Sequence, residues 1–281
     1  MLETWIDQWG DGAVLAVAGA LTGVLFGVMA QHSKFCLRAA TVEVAEARFG
    51  PRLSIWLIAF TAAVFAVQAA IATGFLDVSQ ARPLAATGSM SGAIIGGLMF
   101  GCGMILARGC ASRLLILSAT GNLRALITGL VLTLVAQASL RGALSPAREW
   151  MGSLWLVQGG EGRNMLSQIG MGAPLAAVLA GAGLVAALIL SRKRLVPSSE
   201  ALAGAGVGVA VGLGYILTYA IAQTSFEPIA ISSITFTGPS TDTLMGLVNE
   251  AELPWGFGLG LVPGVFVGAA GMALLRGEAQ I

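Results

Sequence analysis

Two of the three cysteines stand at matching positions of an internal repeat. The segment Gly23–Gly27 reads GVLFG and is followed by eight residues and Cys36, and the segment Gly97–Gly101 reads GLMFG and is followed by eight residues and Cys110. The pattern G-x-x-F-G-x8-C thus recurs with an offset of 74 residues. A lone free cysteine is most often small apolar core filler. The equal spacing in two copies favours instead a pair of thiols with a shared function.

Each cysteine also opens a short segment after a break in a longer apolar one. Residues 37–48 form an amphipathic stretch that is too short and too charged to span a membrane, and residues 111–118 form a similar short stretch. Both are interpreted as re-entrant half-helices. Interrupted helices persist at membrane depth only where protein or a watery cavity covers them, and they often mark a transporter's binding site. We therefore predict that Cys36 and Cys110 lie near the membrane midplane, each at the N-terminal end of a half-helix.

The charges near these cysteines favour an anionic ligand. Arg38, Arg108 and Arg113 lie beside them, and helix N-termini attract negative charge. None of the fourteen acidic residues falls in an apolar window, whereas proton-driven pumps usually bury an Asp or Glu. A polarisable thiol adds a soft S–H donor. The combination predicts a small sulfur-containing anion that meets neutral thiols, because thiolates would repel it.

The remaining reactive residues carry weaker signals. Cys102 precedes Cys110 by two helical turns, but the first repeat has Val28 at that position, which favours a packing role for Cys102. His32 is the single histidine, and one histidine without nearby carboxylates does not make a metal site. The predicted substrate-binding set is Cys36, Cys110, Cys102, Gly109 and Arg38, in which Cys102 carries the weakest signal of the three cysteines. No metal or other cofactor is expected.

The composition defines the elements that hold these residues. The chain has 281 residues, 56% of them hydrophobic and 10% charged, whereas soluble domains carry about 25% charged residues. Roughly 20 apolar residues cross a bilayer as a helix. Seven windows qualify, namely Gly12–Ala30, Leu53–Leu76, Pro83–Ala107, Ala125–Leu140, Asn164–Ser191, Ala201–Phe226 and Leu253–Leu275. The sequence predicts an all-α polytopic membrane protein with seven spans plus re-entrant half-helices.

The basic residues predict how the spans are oriented. Eleven of the fifteen lie in the odd-numbered loops and the C-terminal segment, and four lie in the even-numbered loops. Because positive charge marks the cytoplasmic side, the N-terminus is predicted outside and the C-terminus in the cytoplasm. The acidic start of the chain does not resemble a cleavable signal peptide. We expect one transporter domain over residues 1–281, with halves at about 1–143 and 164–281.

The second half repeats the architecture more weakly. Gly204, Gly208 and Gly212 give one predicted helix a glycine face, which lets membrane helices approach closely. The segment Ser232–Thr243 is rich in hydroxyl groups and contains neither Lys nor Arg. It fits equally well a third re-entrant lining or an ordinary external loop.

The two repeats resemble the YeeE/YedE family of sulfur transporters. The resemblance rests on residues 96–112 (GGLMFGCGMILARGCAS) with Gly121–Leu123 and on the FG and FCLRA segments at 26–27 and 35–39, and the helix pattern extends it over nearly the whole chain. It implies uptake of thiosulfate or a similar anion into the cytoplasm across a cell inner membrane. It also implies that the motif cysteines, here Cys36 and Cys110, pass the ion along by S–H contacts.

The chain departs from the family pattern in three respects. The family commonly has glycine at the position of Arg113 and lacks a cysteine at that of Cys102. Its members usually continue beyond the position of Ile281 with a further motif cysteine, so a complete relay is expected to include one more thiol. A cytoplasmic sulfur-carrier protein is a candidate partner, and no nucleic acid is expected.

The residues are also compatible with two other classes of protein. A membrane thiol-redox or sulfur-relay enzyme would use Cys36, Cys102 and Cys110, although such enzymes favour a C-x-x-C pair over the spacing found here. A structural membrane subunit without transport activity is the third class.

Overall fold

Helices form nearly all of the regular structure. The computed structural model describes residues 2–79, 81–160, 163, 165–249, 253 and 255–280. The elements are α1 (Leu2–His32), α2 (Leu37–Ala45), α3 (Pro51–Ala72), α4 (Arg82–Ala85), β1 (Gly88–Ser89), α5 (Met90–Leu106), α6 (Ala111–Ala119), α7 (Leu123–Arg141), α8 (Ser145–Ser153), β2 (Leu156–Val157), α9 (Met165–Gln168), α10 (Ala173–Lys193), α11 (Ser198–Thr224), α12 (Thr237–Asn249) and α13 (Phe257–Leu275). The two short strands pair antiparallel.

Seven helical segments of the described chain are long and apolar enough to cross a membrane. They are α1, α3, the segment Met90–Ala119 that contains α5 and α6, α7, α10, α11 and α13. Each falls on one of the seven predicted windows. The prediction of an all-α polytopic membrane protein is therefore confirmed.

The helix ends differ from the predicted windows in three places. Helix α1 begins at Leu2 rather than near Gly12 and bends at Gly10, whose φ is 78°. The third window starts at Pro83, but α5 begins only at Met90 because the chain first pairs β1 with β2. The fifth window starts at Asn164, which lies outside the described residues, and α10 begins at Ala173 after a break that includes Gly170 at φ 68°.

The packing contacts give the relative directions of the helices. We call the two ends of the bundle the Leu2 end and the His32 end, after the first and last residues of α1. Helix α13 runs parallel to α1, since Gly19 contacts Phe257 and Gly27 contacts Val265. Helix α11 runs the opposite way, because Gly206, in the first half of α11, meets Met29 near the end of α1.

Glycines allow α1 and α13 to pack backbone against backbone. A Cβ atom at Gly19, Gly23 or Gly27 would overlap the carbonyl oxygen of Phe257, Leu261 or Val265, respectively. The relation is reciprocal, because a Cβ at Gly260, Gly264 or Gly268 would overlap the carbonyl oxygen of Ala16, Ala20 or Val24. This pair is the most extensive helix contact of the described chain. Small residues are what membrane helices need for such an approach.

The matching glycines of the second repeat are not packed in this way. No described atom would lie within 4 Å of a Cβ atom at Gly97 or Gly101. The phenylalanine between them shows the same contrast, because Phe100 is 50% exposed whereas Phe26 is 4% exposed. Helix α5 contacts chiefly α8 and β2, so the two copies share a local geometry and differ in tertiary surroundings.

The glycine face predicted on α11 packs against α3. A Cβ at Gly208 would overlap the carbonyl oxygen of Ala59, and a Cβ at Gly212 would meet Ala66. Buried residues of α1, α6, α11 and α13, including Phe26, Ile116 and Val265, form the largest apolar cluster described. The core therefore surrounds α1.

The hydroxyl-rich segment turns back into the bundle. From the end of α11 at Thr224, the chain runs without regular structure beside α11, and Ser233 Oγ donates to the Val211 carbonyl oxygen at 2.6 Å. Phe236 then lies against Phe26, with ring centroids 5.3 Å apart. Helix α12 starts there, beside the middle of α1. Of the two interpretations that the sequence left open, the structure supports a re-entrant lining.

Candidate functional site

The turns before the two cysteines have the same backbone geometry. Helix α1 ends at His32 and α5 ends at Leu106, and in each turn the residue two positions before the cysteine is left-handed, Lys34 at φ 53° and Arg108 at φ 59°. In the first copy the Phe35 amide donates to the Ala30 carbonyl oxygen at 3.0 Å, which closes a Schellman-type helix end. A left-handed non-glycine residue costs about 1–3 kcal/mol, and such residues concentrate at functional sites.

Each cysteine caps a nine-residue half-helix. Cys36 is the N-cap of α2 and Cys110 is the N-cap of α6, as the repeat predicts; their depth near the membrane midplane stays a prediction. Neither helix start has a side-chain cap among the described residues. The first-turn amides of both half-helices are thus available to a ligand, and they carry the positive end of the helix dipole.

Arg113, in the first turn of α6, lies near both motif cysteines. The side chains of Cys36, Cys110, Arg52 and Glu278 are the titratable neighbours of its guanidinium. Its Nη1 atom is buried and has no hydrogen-bond partner in the described chain. A buried, unpaired donor costs roughly 1–3 kcal/mol, and more when it is charged. An anion bound between the thiols would remove that cost.

A second arginine, on the other half-helix, also has a buried nitrogen without a described partner, the Nε atom of Arg38 in the first turn of α2. Gly109 is buried against Arg113, because a Cβ at Gly109 would lie 3.6 Å from the Arg113 Cβ and Cγ atoms. On the α6 side the Cys110 Sγ atom lies 3.2 Å from Ser112 Oγ. The Cys110 thiol, the Ser112 hydroxyl and the Arg113 guanidinium therefore cluster at the start of α6.

The segment after α13 closes this region at the His32 end. The Glu278 carboxylate accepts a hydrogen bond from Gln31 Nε2 at 2.9 Å and lies 3.6 Å from Arg276 Nε and 4.0 Å from Lys34 Nζ. The backbone amide of Gln280 donates to the Thr120 carbonyl oxygen at 2.8 Å. The segment thereby joins the end of α1 to the end of α6.

The other predicted residues lie apart from this cluster or in supporting positions. Cys102 is exposed on α5 and is not among the electrostatic neighbours of Arg113. Arg108 is exposed in its turn. His32 Nδ1 lies 3.2 Å from Arg276 Nη1. The described residues contain no group of three or more His, Cys, Asp or Glu that could hold a metal ion.

The predicted substrate-binding set missed Glu278, Gln31 and Arg52, and it left out Arg113 although that residue was noted beside the cysteines. The local sequence contains a signal for Arg113, which follows Cys110 by three residues and so returns to the same face of the half-helix. No local pattern identifies Glu278, because it reaches the site only through the packing of α13 along α1.

Comparison with known proteins identifies the family to which this site belongs. Residues 32–281 match the model of a family described as sulphur transport. The chain is also similar to the thiosulfate transporter TsuA of Spirochaeta thermophila, with 26% identity over 282 residues that cover 94% of this chain and 79% of that protein. The region matched by the family model includes Cys36, Arg38, Cys110 and Arg113. It also includes six of the seven candidate spans, and only the last residue of α1. This chain therefore belongs to the sulphur transport family of multi-pass membrane proteins.

Proposed function

We propose that the protein imports thiosulfate, or a similar small sulfur-containing anion, into the cytoplasm through the site between Cys36 and Cys110. The observation that carries the proposal is a guanidinium with a buried nitrogen unpaired in the described chain, which has two free thiols as neighbours, each at the N-cap of a nine-residue helix. The name of the Spirochaeta thermophila relative supports thiosulfate as the substrate.

The proposed chemistry is non-covalent. The Arg113 and Arg38 guanidinium groups and the first-turn amides of α2 and α6 compensate the negative charge. The neutral thiols donate S–H hydrogen bonds, and the terminal sulfur of thiosulfate is a soft acceptor that matches them. Because no bond is made or broken, the anion can leave one thiol for the next. We propose accordingly that the protein moves its substrate unchanged and is not an enzyme.

The direction of transport depends on the orientation of the bundle. We propose that the Leu2 end faces the outside and the His32 end faces the cytoplasm, since the basic residues Lys34, Arg52, Arg124 and Arg276 flank the His32 end. The membrane would then be the cell inner membrane, and a cytoplasmic sulfur-carrier protein would meet the anion at the His32 end. The packing of α1 onto α11 and α13 supports a single transporter domain made from both halves.

The geometry gives less support to a thiol-redox enzyme. An enzyme that used all three cysteines would need Cys102 near the other two thiols, but Cys102 is exposed on α5 and, unlike Cys36 and Cys110, is not among the neighbours of Arg113.

Uptake into vesicles tests the proposal. Purified protein in liposomes should accumulate radiolabelled thiosulfate, and the imported ion should be recovered chemically unchanged. Liposomes that contain the Cys36→Ala and Cys110→Ala double variant serve as the matched control. Uptake equal to that control would refute the proposal, and recovery of the label as a different sulfur species would favour the enzyme.

A further inference from the structure

A cavity with several polar side chains lies toward the Leu2 end of the bundle, away from both motif cysteines. Its volume is about 440 Å³, and its polar lining includes Thr87, Arg163, Tyr215, Ser232 and Thr235. Neither a cysteine nor an acidic residue is among the described residues that line it. Within the described chain the guanidinium of Arg163 donates one hydrogen bond, from Nη1 to the Ala86 carbonyl oxygen at 2.8 Å, out of the five that such a group can make.

Unpaired donors surround this cavity. The hydroxyls of Tyr215, Ser232 and Thr235 make no hydrogen bond within the part of the chain that the structure describes, and neither do the backbone amides of Ile231, Ser233, Ile234 and Thr235. The coil holds its position through other groups. Thr218 Oγ1 donates to the Ser232 carbonyl oxygen at 2.7 Å. Irregular backbone is tolerated at membrane depth where it lines a watery cavity, and these donors are available there to water or to a polar ligand.

An apolar layer separates the cavity from the thiols. Ile234, which lines the cavity, and Phe236, which follows it, pack into the core cluster with Phe26, Ile116 and Phe35. Phe35 immediately precedes Cys36 and Ile116 lies in the half-helix that Cys110 caps. The cavity and the thiol site therefore lie on opposite sides of one hydrophobic barrier.

We propose that this cavity is a second anion site, which the substrate occupies before it reaches the thiols. The inference rests on the proposed function for the identity of the substrate. The donors here are O–H and N–H groups, which match the oxygen atoms of a tetrahedral sulfur oxyanion and do not select for a terminal sulfur. The cavity consequently accepts sulfate as well as thiosulfate, and the selection for a sulfur-bearing anion occurs beyond the barrier, at Cys36 and Cys110.

Sulfate binding to the purified full chain tests the proposal, measured with radiolabelled sulfate by scintillation proximity. The Tyr215→Phe and Thr235→Val double variant removes two hydroxyls with little change in shape, and we expect it to weaken sulfate binding about tenfold or more. The Cys36→Ser and Cys110→Ser double variant should bind sulfate as the wild type does. Tyr219→Phe with Thr224→Val is the matched control, because neither residue lines the cavity.

The outcomes separate this inference from the proposed function. Undetectable sulfate binding by the wild type, or equal binding by the hydroxyl variant and its control, would overturn the second site. Loss of sulfate binding in the cysteine variant would also overturn it, since a single site at the thiols would then bind both anions. If the cysteine variant still imports thiosulfate while the hydroxyl variant does not, the proposed function fails and the second site stands.

Discussion

At the scale of single residues, the site depends on sulfur held at two equivalent points. Cys36 and Cys110 each cap a half-helix and each lie close to the Arg113 guanidinium. A serine would keep a donor at either point, but its harder oxygen is a poorer partner for a terminal sulfur atom. The thiol is therefore expected to matter for its softness as well as for its proton.

We predict that Cys36→Ala and Cys110→Ala each reduce thiosulfate uptake by about one to two decades, and that serine at either position also fails to restore uptake. A hydrogen bond to a charged group contributes about 1.5–3 kcal/mol, and each 1.4 kcal/mol corresponds to about tenfold in affinity. Initial uptake rates in vesicles provide the measurement, with Cys102→Ala as the control that retains most activity. Wild-type uptake by the serine variants would show that a plain anion pathway suffices, and an inactive Cys102→Ala variant would show that the wrong cysteines were paired.

Arg113 should be required for function and not for folding. Its Nη1 atom is buried without a partner among the described residues, so Arg113→Gln removes a buried donor that makes no hydrogen bond and should leave the thermal midpoint unchanged or raised. The same change should lower uptake by at least about tenfold, because it removes a charge-assisted contact. Arg108→Gln, at an exposed position in the preceding turn, is the control for both measurements. A lower midpoint for Arg113→Gln would contradict a primarily ligand-binding role.

At the scale of elements, the two copies of the G-x-x-F-G-x8-C motif differ in how their helices pack against the rest of the chain. The glycines of the first copy lie against the α13 backbone, and those of the second copy have no described neighbour within 4 Å of an added Cβ. The local pattern therefore fixes the helix, turn and half-helix of each copy, and the partners available to each copy decide which glycines are structurally necessary.

This difference predicts opposite outcomes for matched substitutions. Gly27→Ala should lower the stability of the purified chain by at least about 1–3 kcal/mol, the usual cost of overpacking, because its Cβ would overlap the Val265 carbonyl oxygen. Gly101→Ala should leave stability unchanged or slightly raised, since alanine is the better helix former. Thermal unfolding followed by circular dichroism in detergent gives both values. An equal loss in both variants would mean that the α5 face is also covered.

At the scale of the whole molecule, the orientation of the bundle determines the direction of transport. The segment Arg192–Arg194 ends α10 at the His32 end, beside Val196 and the start of α3. A reporter enzyme that is active only in the cytoplasm, fused after Arg194, should be active in cells. A fusion after Phe226, at the opposite end, should be silent. The reverse pattern would invert the bundle and turn the proposed import into export.

Much of the fold was predictable from the sequence because a bilayer restricts it so strongly. Every backbone polar group in the hydrocarbon must be satisfied, so long apolar windows become helices, and the seven windows did so. The boundaries were less predictable where other interactions compete. The third and fifth spans start later than their hydropathy suggests because β1 pairs with β2 and because the chain breaks at Gly170.

The candidate site divides in the same way between local and long-range causes. The repeat by itself determined that Cys36 and Cys110 cap short half-helices, because turn and helix geometry depend on neighbouring residues. Only the tertiary structure decided that both motif cysteines are neighbours of Arg113, that Glu278 closes the region from the far end of the chain, and that Cys102 stays outside. The physical reason is that these contacts join residues up to 247 positions apart. The contacts of Glu278 arise from the glycine-mediated approach of α13 to α1. The four-residue spacing of the glycines marks a close-packing face on each helix, but it does not specify which helix packs there.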